Sequence, residues 1–474
     1  MILKQSLIHS SEMKHDVIII GGGVSGTALL YTLSKYTDVK SIGLIEKYNN
    51  FGLVNSSSAM NSQTLHFGDI ETNYTLEKAK KVKRSADMVM NYLENENCVN
   101  PKERIFFKVP KMVLAVGKDQ VNTLRERYIP FGHVFPKLKM IGKEEIGRLE
   151  PRILKGRDPD QELLALVTED GYTVDFGKLS HSFVKNARKE NPSISLYLST
   201  RVTKILKDGD CFKIFTSKGE IDASAVVVTA GSHSLKIAKS LGYGKNYSIL
   251  SMSGSFYTGP KVLNSKVYTM QVAKLPFAAV HGDPDVNDEN VTRFGPTAKP
   301  IFFLERYNSS TFFEYWKTFG FSIKPILSIL KISSDKIIFN YLLKNVIYDI
   351  PGIGKRLFLK EVKKIVPEIK AGEINFAKKI GGTRPQIINN TTRKLELGEA
   401  KITGDKIIFN ITPSPGASTC LGNAYEDTIK LMEFLNNKYN FNKALFEKDL
   451  VMQPEPPCRK HRVGRKVPVI HNIE

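Results

Sequence analysis

The stretch Asp16-Val17-Ile18-Ile19-Ile20-Gly21-Gly22-Gly23-Val24-Ser25-Gly26 decides how the fold begins. Its first five residues form an apolar, β-branched run suited to a parallel strand buried on both faces, and the glycines then interrupt it. Thr27 to Ser34 reads as a helix, Ser41 to Ile45 as a second strand, and Glu46 closes that strand. Strand, glycines, helix, strand and acid within about thirty residues make a βαβ unit shaped for a dinucleotide. Gly21 suits a tight turn, Gly23 a close backbone approach to a pyrophosphate, and Gly26 the packing of helix on strand, with Val24 and Ser25 at a helix N-terminus that faces phosphates. Glu46, about 20 residues beyond the last glycine, is placed to accept from ribose hydroxyls, and Lys47 follows it at the same site.

Two later segments extend that site. Ala225-Val226-Val227-Val228-Thr229-Ala230-Gly231 is a buried strand ending in small residues, so Ala230 and Gly231 are candidate ligand contacts, as is Val202. Ile407 to Ile411 runs into Thr412-Pro413-Ser414-Pro415-Gly416-Ala417-Ser418-Thr419-Cys420, and a helical pattern starts at Asn423-Ala424 and continues through Leu431 and Leu435. Pro415, Gly416, Ala417 and Ser418 thus precede a helix N-terminus, which favours a flavin ring that gains negative charge on reduction. The expected fold class is α/β: a Rossmann-like FAD-binding domain assembled from the discontinuous segments 14–95, 165–245 and 375–445, with an α+β substrate domain from 96–164 and 246–374. Residues 451–474, proline-rich and then basic at Arg459, Lys460, Arg462, Arg465 and Lys466, are expected to form a disordered tail.

The bulk numbers agree with a large folded enzyme, since 474 residues at 41% hydrophobic content are ample for two or three domains. Cys98, Cys211, Cys420 and Cys458 lie far apart, which argues against a zinc site or a disulfide framework and for a reducing compartment; no metal is expected. A net charge of +21 fits an anionic partner, whether nucleic acid, lipid headgroup or dicarboxylate, and fits a biased codon usage equally well. The sequence offers no apolar run of the ~20 residues a membrane-spanning helix needs, and no secretory signal. Met1 to Lys14 contains one acid, Glu12, and no Arg, a poor organellar presequence.

Three polar clusters are candidates for chemistry. Asn55 to Gly68 is too polar for core: Ser57, Ser58, Asn61 and Ser62 are placed to run beneath phosphates and a flavin, bringing Gln63 and His66 to the redox face, although a solvated loop reads the same way. Lys274 to Pro284, followed by Thr292 to Ala298, fits two strands around a loop, with His281 at the end of an apolar strand as either a general base or a structural histidine, and Arg293 beyond it. Gly381-Gly382-Thr383-Arg384-Pro385-Gln386 sets a guanidinium between glycines and a proline, suited to bidentate carboxylate recognition or to a surface ion pair.

Taken together, the dinucleotide motif, Asn61-Ser62-Gln63-Thr64-Leu65-His66, Leu275 to Pro284 and Thr412 to Ala417 resemble malate:quinone oxidoreductases, from about Asp16 to Leu450. Wider relatives are the 2-hydroxyglutarate dehydrogenases and the glycine and D-amino-acid oxidases. The resemblance implies FAD, oxidation of (S)-malate to oxaloacetate, a membrane quinone as acceptor, no NAD, and a peripheral place on a bacterial cytoplasmic or mitochondrial inner membrane. It implies that His281 lies beside the flavin and that Arg384 meets a substrate carboxylate. His281 is then the preferred base with His66 as the alternative, Arg293 a second anchor, and Gln63 and His66 orienting groups. Phe312 to Val366, aromatic and lysine-rich, reads either as a segment lying on anionic lipid or as core helices with lysines on their wet face. The rival readings are a 2-hydroxyglutarate or amino-acid oxidoreductase of the same fold and a flavin-bound protein without turnover. A nucleic-acid-binding protein is disfavoured because no aromatic and basic recognition motif is present.

Overall fold

In the computed structural model, which describes residues 14–96, 103–271, 275, 279–320, 322–396 and 398–452, the Lys14–Ile20 strand lies in the interior of an eight-stranded sheet. The order is Ala400–Gly404, Ile407–Ile411, Gly219–Val228, Lys14–Ile20, Ile42–Ile45 and Ser195–Tyr197; the last five run parallel. A hairpin of Val202–Asp208 and Cys211–Thr216 is added antiparallel along the first half of Gly219–Val228. Both faces of the central strand are covered, as its unbroken apolar run demands. Ile18 and Ile20 pack with Phe212, Val226 and Phe409 on one side. Val17 and Ile19 pack on the other with Leu30, Leu33, Phe183 and Leu431, from the helices Val24–Tyr36, Phe176–Glu190 and Cys420–Phe434. The helix after the glycines therefore begins at Val24, three residues earlier than expected.

Ile20 is level with both Ile45 and Val228, where three strands end together, and Val228 with Phe409, in a fourth strand that runs two residues further. Loops leaving those carboxyl ends bound a crevice, the usual ligand position in an open parallel sheet.

A second eight-stranded sheet runs Asn375–Phe376, Tyr257–Pro260, Val291–Gly295, His281–Pro284, Lys266–Thr269, Lys111–Val116, Leu163–Thr168 and Lys139–Gly142. A third, four-stranded sheet contains Tyr247–Ser253 against Thr383–Asn389. Segment boundaries drawn at 165 and 375 thus differ from the sheets: Leu163–Thr168 joins the second sheet and Thr383–Asn389 the third. A buried apolar strand carries no mark of which sheet it joins.

The expectation of two strands around a loop holds for His281–Pro284 and Val291–Gly295, with His281 opposite Gly295. His281 opens its strand rather than ending one. Cys98, Cys458, Lys274, Pro276 to Ala278, the Met1 to Met13 stretch and all but the first two residues of the basic tail lie outside the described residues.

Candidate functional site

One cavity extends from the strand ends to the Thr383–Asn389 strand, lined by the glycine loop, Glu46, Thr229 to Gly231, His66, Arg384 and the Thr412 to Ser418 loop. The glycines divide the work as their positions predict. Gly21 has φ +115°, and a Cβ there would stand 2.6 Å from the Thr229 carbonyl oxygen. A Cβ on Gly26 would stand 2.0 Å from the Gly21 carbonyl oxygen, whereas one on Gly23 would meet only the Ser56 hydroxyl, at 3.2 Å. Gly23 therefore faces open cavity. The helix behind it has no side-chain cap and no acid in its first turn, leaving its N–H groups to a ligand anion, except that Val24 N–H donates to Ser56 Oγ at 2.9 Å.

Glu46 is fixed from both sides. Its Oε2 accepts Gly22 N–H at 2.7 Å and its Oε1 accepts Tyr48 N–H at 2.9 Å, while burial pushes its carboxyl up. A carboxylate has lone pairs left for ribose hydroxyls after those two bonds. Lys47 lines the cavity but is ion-paired with Glu305, which also accepts the Tyr48 hydroxyl at 2.6 Å and lies 3.0 Å from His233 Nε2. Val24, Ser25, Asn61, Ser62, Val202, Ala230, Gly231, Pro415, Gly416, Ala417 and Ser418 all reach the cavity wall. Ser57, Ser58 and Gly26 do not. Ser57 and Ser58 use their carbonyls to receive Asn61 and Gln63, and the sequence reading passed over Ser56, the serine that does line the wall.

Two of the five candidate catalytic side chains line the cavity. His66 is bonded through Nδ1 to Glu71 Oε1 at 2.7 Å, and its backbone N–H donates to Ser418 Oγ at 2.9 Å; Nε2 has no partner among the described residues. Burial alone would raise the Glu71 carboxyl, but the bond to His66 and the nearby charges of His66 and Lys111 outweigh it and hold it down to about 2. Arg384 is half-buried in the cavity wall, with no hydrogen bond or ion pair among the described residues. Burial draws its guanidinium down from the usual value, with Tyr341, Tyr268 and Tyr74 opposing; it stays charged.

The other three candidates lie behind the wall, and here the structure departs from the sequence expectation. Arg293 stacks on Phe256, 4.4 Å from the ring centroid, and spends its donors on the carbonyls of Ser58 and Asn61 and on Asp285. Gln63, at φ +54°, donates to Ser58 O and Asp285 and accepts from Val286 N–H. Both side chains anchor the 58–61 loop from behind the wall, and neither lines the cavity, although Arg293 Nε has no partner among the described residues. His281 is fully buried against Tyr268, with ring centroids 4.3 Å apart, and its Nδ1 is 2.9 Å from Asp283 Oδ2 in an orientation too poor for a hydrogen bond. Burial lowers the His281 pKa, with Asp283 pulling the other way. Glu71 escaped the sequence reading although an acid five residues after a candidate base was a usable signal; Tyr74 and Tyr268 carried none.

Comparison with known proteins places this arrangement. Residues 13–442 match the malate:quinone oxidoreductase (Mqo) family. A probable malate:quinone oxidoreductase of Campylobacter jejuni is 44% identical over 447 residues, covering 91% of this chain and 98% of that protein. The malate:quinone oxidoreductase of Helicobacter pylori is 40% identical over 454 residues, covering 93% and 98%. Among solved structures, the FAD-bound, dithionite-reduced L-α-glycerophosphate oxidase of Mycoplasma pneumoniae superposes with a TM-score of 0.62 at 19% identity, over 90% of this chain and 96% of that one. Glycine oxidase of Geobacillus kaustophilus gives 0.61 at 16%, over 91% and 98%. At those identities the likeness is one of fold.

Proposed function

The chain belongs to the malate:quinone oxidoreductase family, and from that membership we infer that it oxidises (S)-malate to oxaloacetate and delivers the two electrons to a quinone. We propose FAD as the cofactor. The glycine cradle, the uncapped helix at Val24, the Glu46 carboxylate and the loop before the Cys420–Phe434 helix fit its pyrophosphate, ribose and ring in turn. Bound FAD supplies the acceptor for the hydride leaving malate's hydroxyl-bearing carbon and the two-electron store that a quinone empties. NAD has no part in this reading.

The observation that carries the substrate assignment is that Arg384, a guanidinium without a partner among the described residues, shares a cavity wall with His66. Arg384 binds one malate carboxylate in its planar fork. Arg293 lies behind the wall, so the second carboxylate falls to neutral donors of the cavity wall; the Thr383 hydroxyl, next to Arg384 in the chain and without a partner among the described residues, is the candidate. We place the base at His66 rather than His281. Glu71 fixes the His66 ring through Nδ1, so Nε2 is the atom that takes the proton from the malate hydroxyl as that carbon gives up its hydride. His281, behind Tyr268, is a positioning residue for that wall.

Because the acceptor quinone is lipid-soluble and no helix among the described residues is long and apolar enough to cross a membrane, the enzyme is proposed to work as a peripheral protein on an anionic membrane surface. The decisive experiment is anaerobic absorbance of the purified holoenzyme at the oxidised-flavin band. Bleaching by (S)-malate and recovery on adding a soluble quinone are expected. Flavin that malate leaves oxidised overturns the substrate, and reduced flavin that quinone leaves bleached overturns the acceptor.

A further inference from the structure

Two consecutive helices, Ile323–Ser333 and Lys336–Tyr348, carry apolar side chains on both faces: Ile329, Ile332, Ile338 and Leu342 pack on the core, and a second set faces out. In the first, Pro325, Ser328 and Ile332 pack inward, while Ile323, Ile326 and Leu330 point outward, Ile323 and Leu330 being 64% and 60% exposed. In the second only Asn345 and Tyr348 are buried, and Ile337, Phe339 and Leu343 are exposed. The spacings 323, 326, 330 and 339, 343 put each set on one face of its helix, and the two helices are in contact, so the two exposed faces are neighbours. The inner faces are well satisfied: Asn345 Oδ1 accepts Ala298 N–H at 2.7 Å, and the Tyr348 carbonyl accepts the Tyr257 hydroxyl at 2.8 Å. The apolar side is therefore presented outward by a properly packed element, and contiguous apolar surface of this kind marks an interaction site.

Within the 312–366 stretch, Tyr315 and Phe319, and further on Phe358 and Val362, are core, and the two helices between them add Ile332 and Tyr348 from their inner faces; only their outer faces are exposed. Lys324, Lys331 and Lys336 stand on those two helices without an ion pair among the described residues, on a chain of net charge +21.

We infer that this face docks on an anionic phospholipid bilayer, with the apolar side chains at the acyl boundary and the lysines among the headgroups. The inference rests on the membrane reading above and names the surface that serves it. A second copy of the chain is a poor occupant, because a two-fold contact through this patch would bring its unpaired lysines against their like.

The test is cosedimentation of the FAD-loaded enzyme with phosphatidylcholine vesicles, with and without phosphatidylglycerol, for wild type, Leu330→Glu/Leu343→Glu and Lys324→Glu/Lys331→Glu. The leucine pair is expected to lose at least about tenfold in vesicle binding while keeping malate oxidation with a soluble dye. The lysine pair is expected to lose the increment that phosphatidylglycerol confers. Either double variant binding like wild type overturns the proposed face and leaves membrane association standing. Failure of wild type to bind either vesicle overturns membrane association itself. A wild-type dimer in sedimentation velocity that the leucine substitutions dissociate gives the face to a second copy and overturns the lipid assignment.

Discussion

His66 Nδ1 lies 2.7 Å from Glu71 Oε1, and the same histidine's backbone N–H is held by Ser418 from the loop that precedes the Cys420–Phe434 helix. The ring is thus fixed by an acid five residues on and its backbone by a loop 352 residues away, with one ring nitrogen left over. Replacing His66 with Asn is expected to slow flavin reduction by malate by ~10²- to 10⁴-fold, the usual worth of a positioned base. His281→Asn is expected to cost about tenfold or less. Anaerobic stopped-flow reduction ranks the two; a larger loss from His281→Asn returns the base to that residue.

Glu71 gives a pH dependence with a definite sign. Its folded-state pKa of about 2 lies below the ordinary 4.5, so the carboxylate's contribution is fully present above the unfolded value and is lost as pH falls towards 2. The shift corresponds to roughly 3 kcal/mol at neutral pH. Glu71→Gln should therefore unfold at lower denaturant than wild type at pH 7, and the gap should close between about pH 4.5 and 2. A gap that does not change with pH would mean that the pair is worth no more than its neutral hydrogen bond.

Arg384→Gln should raise the malate KM by ~10²-fold or more, because a bidentate, charge-assisted contact is lost from a site with few other cations. FAD content and stability should change little, since Arg384 bonds no described residue. Arg384→Lys restores a point charge without the planar fork, and partial recovery of KM is expected. Steady-state kinetics with a soluble acceptor check both.

Arg293→Ala is predicted to behave differently. The residue is buried and braces Ser58, Asn61 and Asp285, so its loss strips the Asn61 carbonyl of its donor, leaves Ser58 O and Asp285 to Gln63, and should cost ~1–3 kcal/mol of stability. Loosening of the 58–61 loop should lower kcat more than it raises the malate KM. Urea unfolding alongside kinetics tests this; a stable variant with a selectively raised KM would make Arg293 a substrate anchor after all.

What was legible in the sequence follows from range. The glycine motif, the strand at Ile407 to Ile411 and the polar run at Asn55 to Gly68 are local patterns, each set by its own residues and readable as such. Arg293 and Gln63 were misplaced towards the substrate because their partners are remote: Asn61 O is 232 residues from Arg293, and Val286 N–H is 223 from Gln63. His281 sits on a strand buried at every position, His281 to Pro284, so no alternation marks which face its ring takes. Arg384 was legible because the Gly381-Gly382 pair before it and Pro385 after it are a local pattern, and in the structure the glycines let the backbone approach Gly254 and Met60.

Gly23 and Gly26, three residues apart, should fail in different ways when changed to Ala. At Gly26 the new methyl would stand 2.0 Å from the Gly21 carbonyl oxygen, a backbone atom that cannot move without separating the first helix from the first strand. That variant should be destabilised by at least ~2 kcal/mol and purify poorly or without flavin. At Gly23 the methyl meets only a serine hydroxyl at 3.2 Å, so the apoprotein should unfold close to wild type. Its methyl points into the cavity, however, where the backbone must approach a pyrophosphate, and FAD affinity should fall at least tenfold. Thermal unfolding of the apoproteins together with FAD titration separates the cases. Equal loss of stability in both variants would show that Gly23, too, serves helix packing and would remove it from the phosphate site.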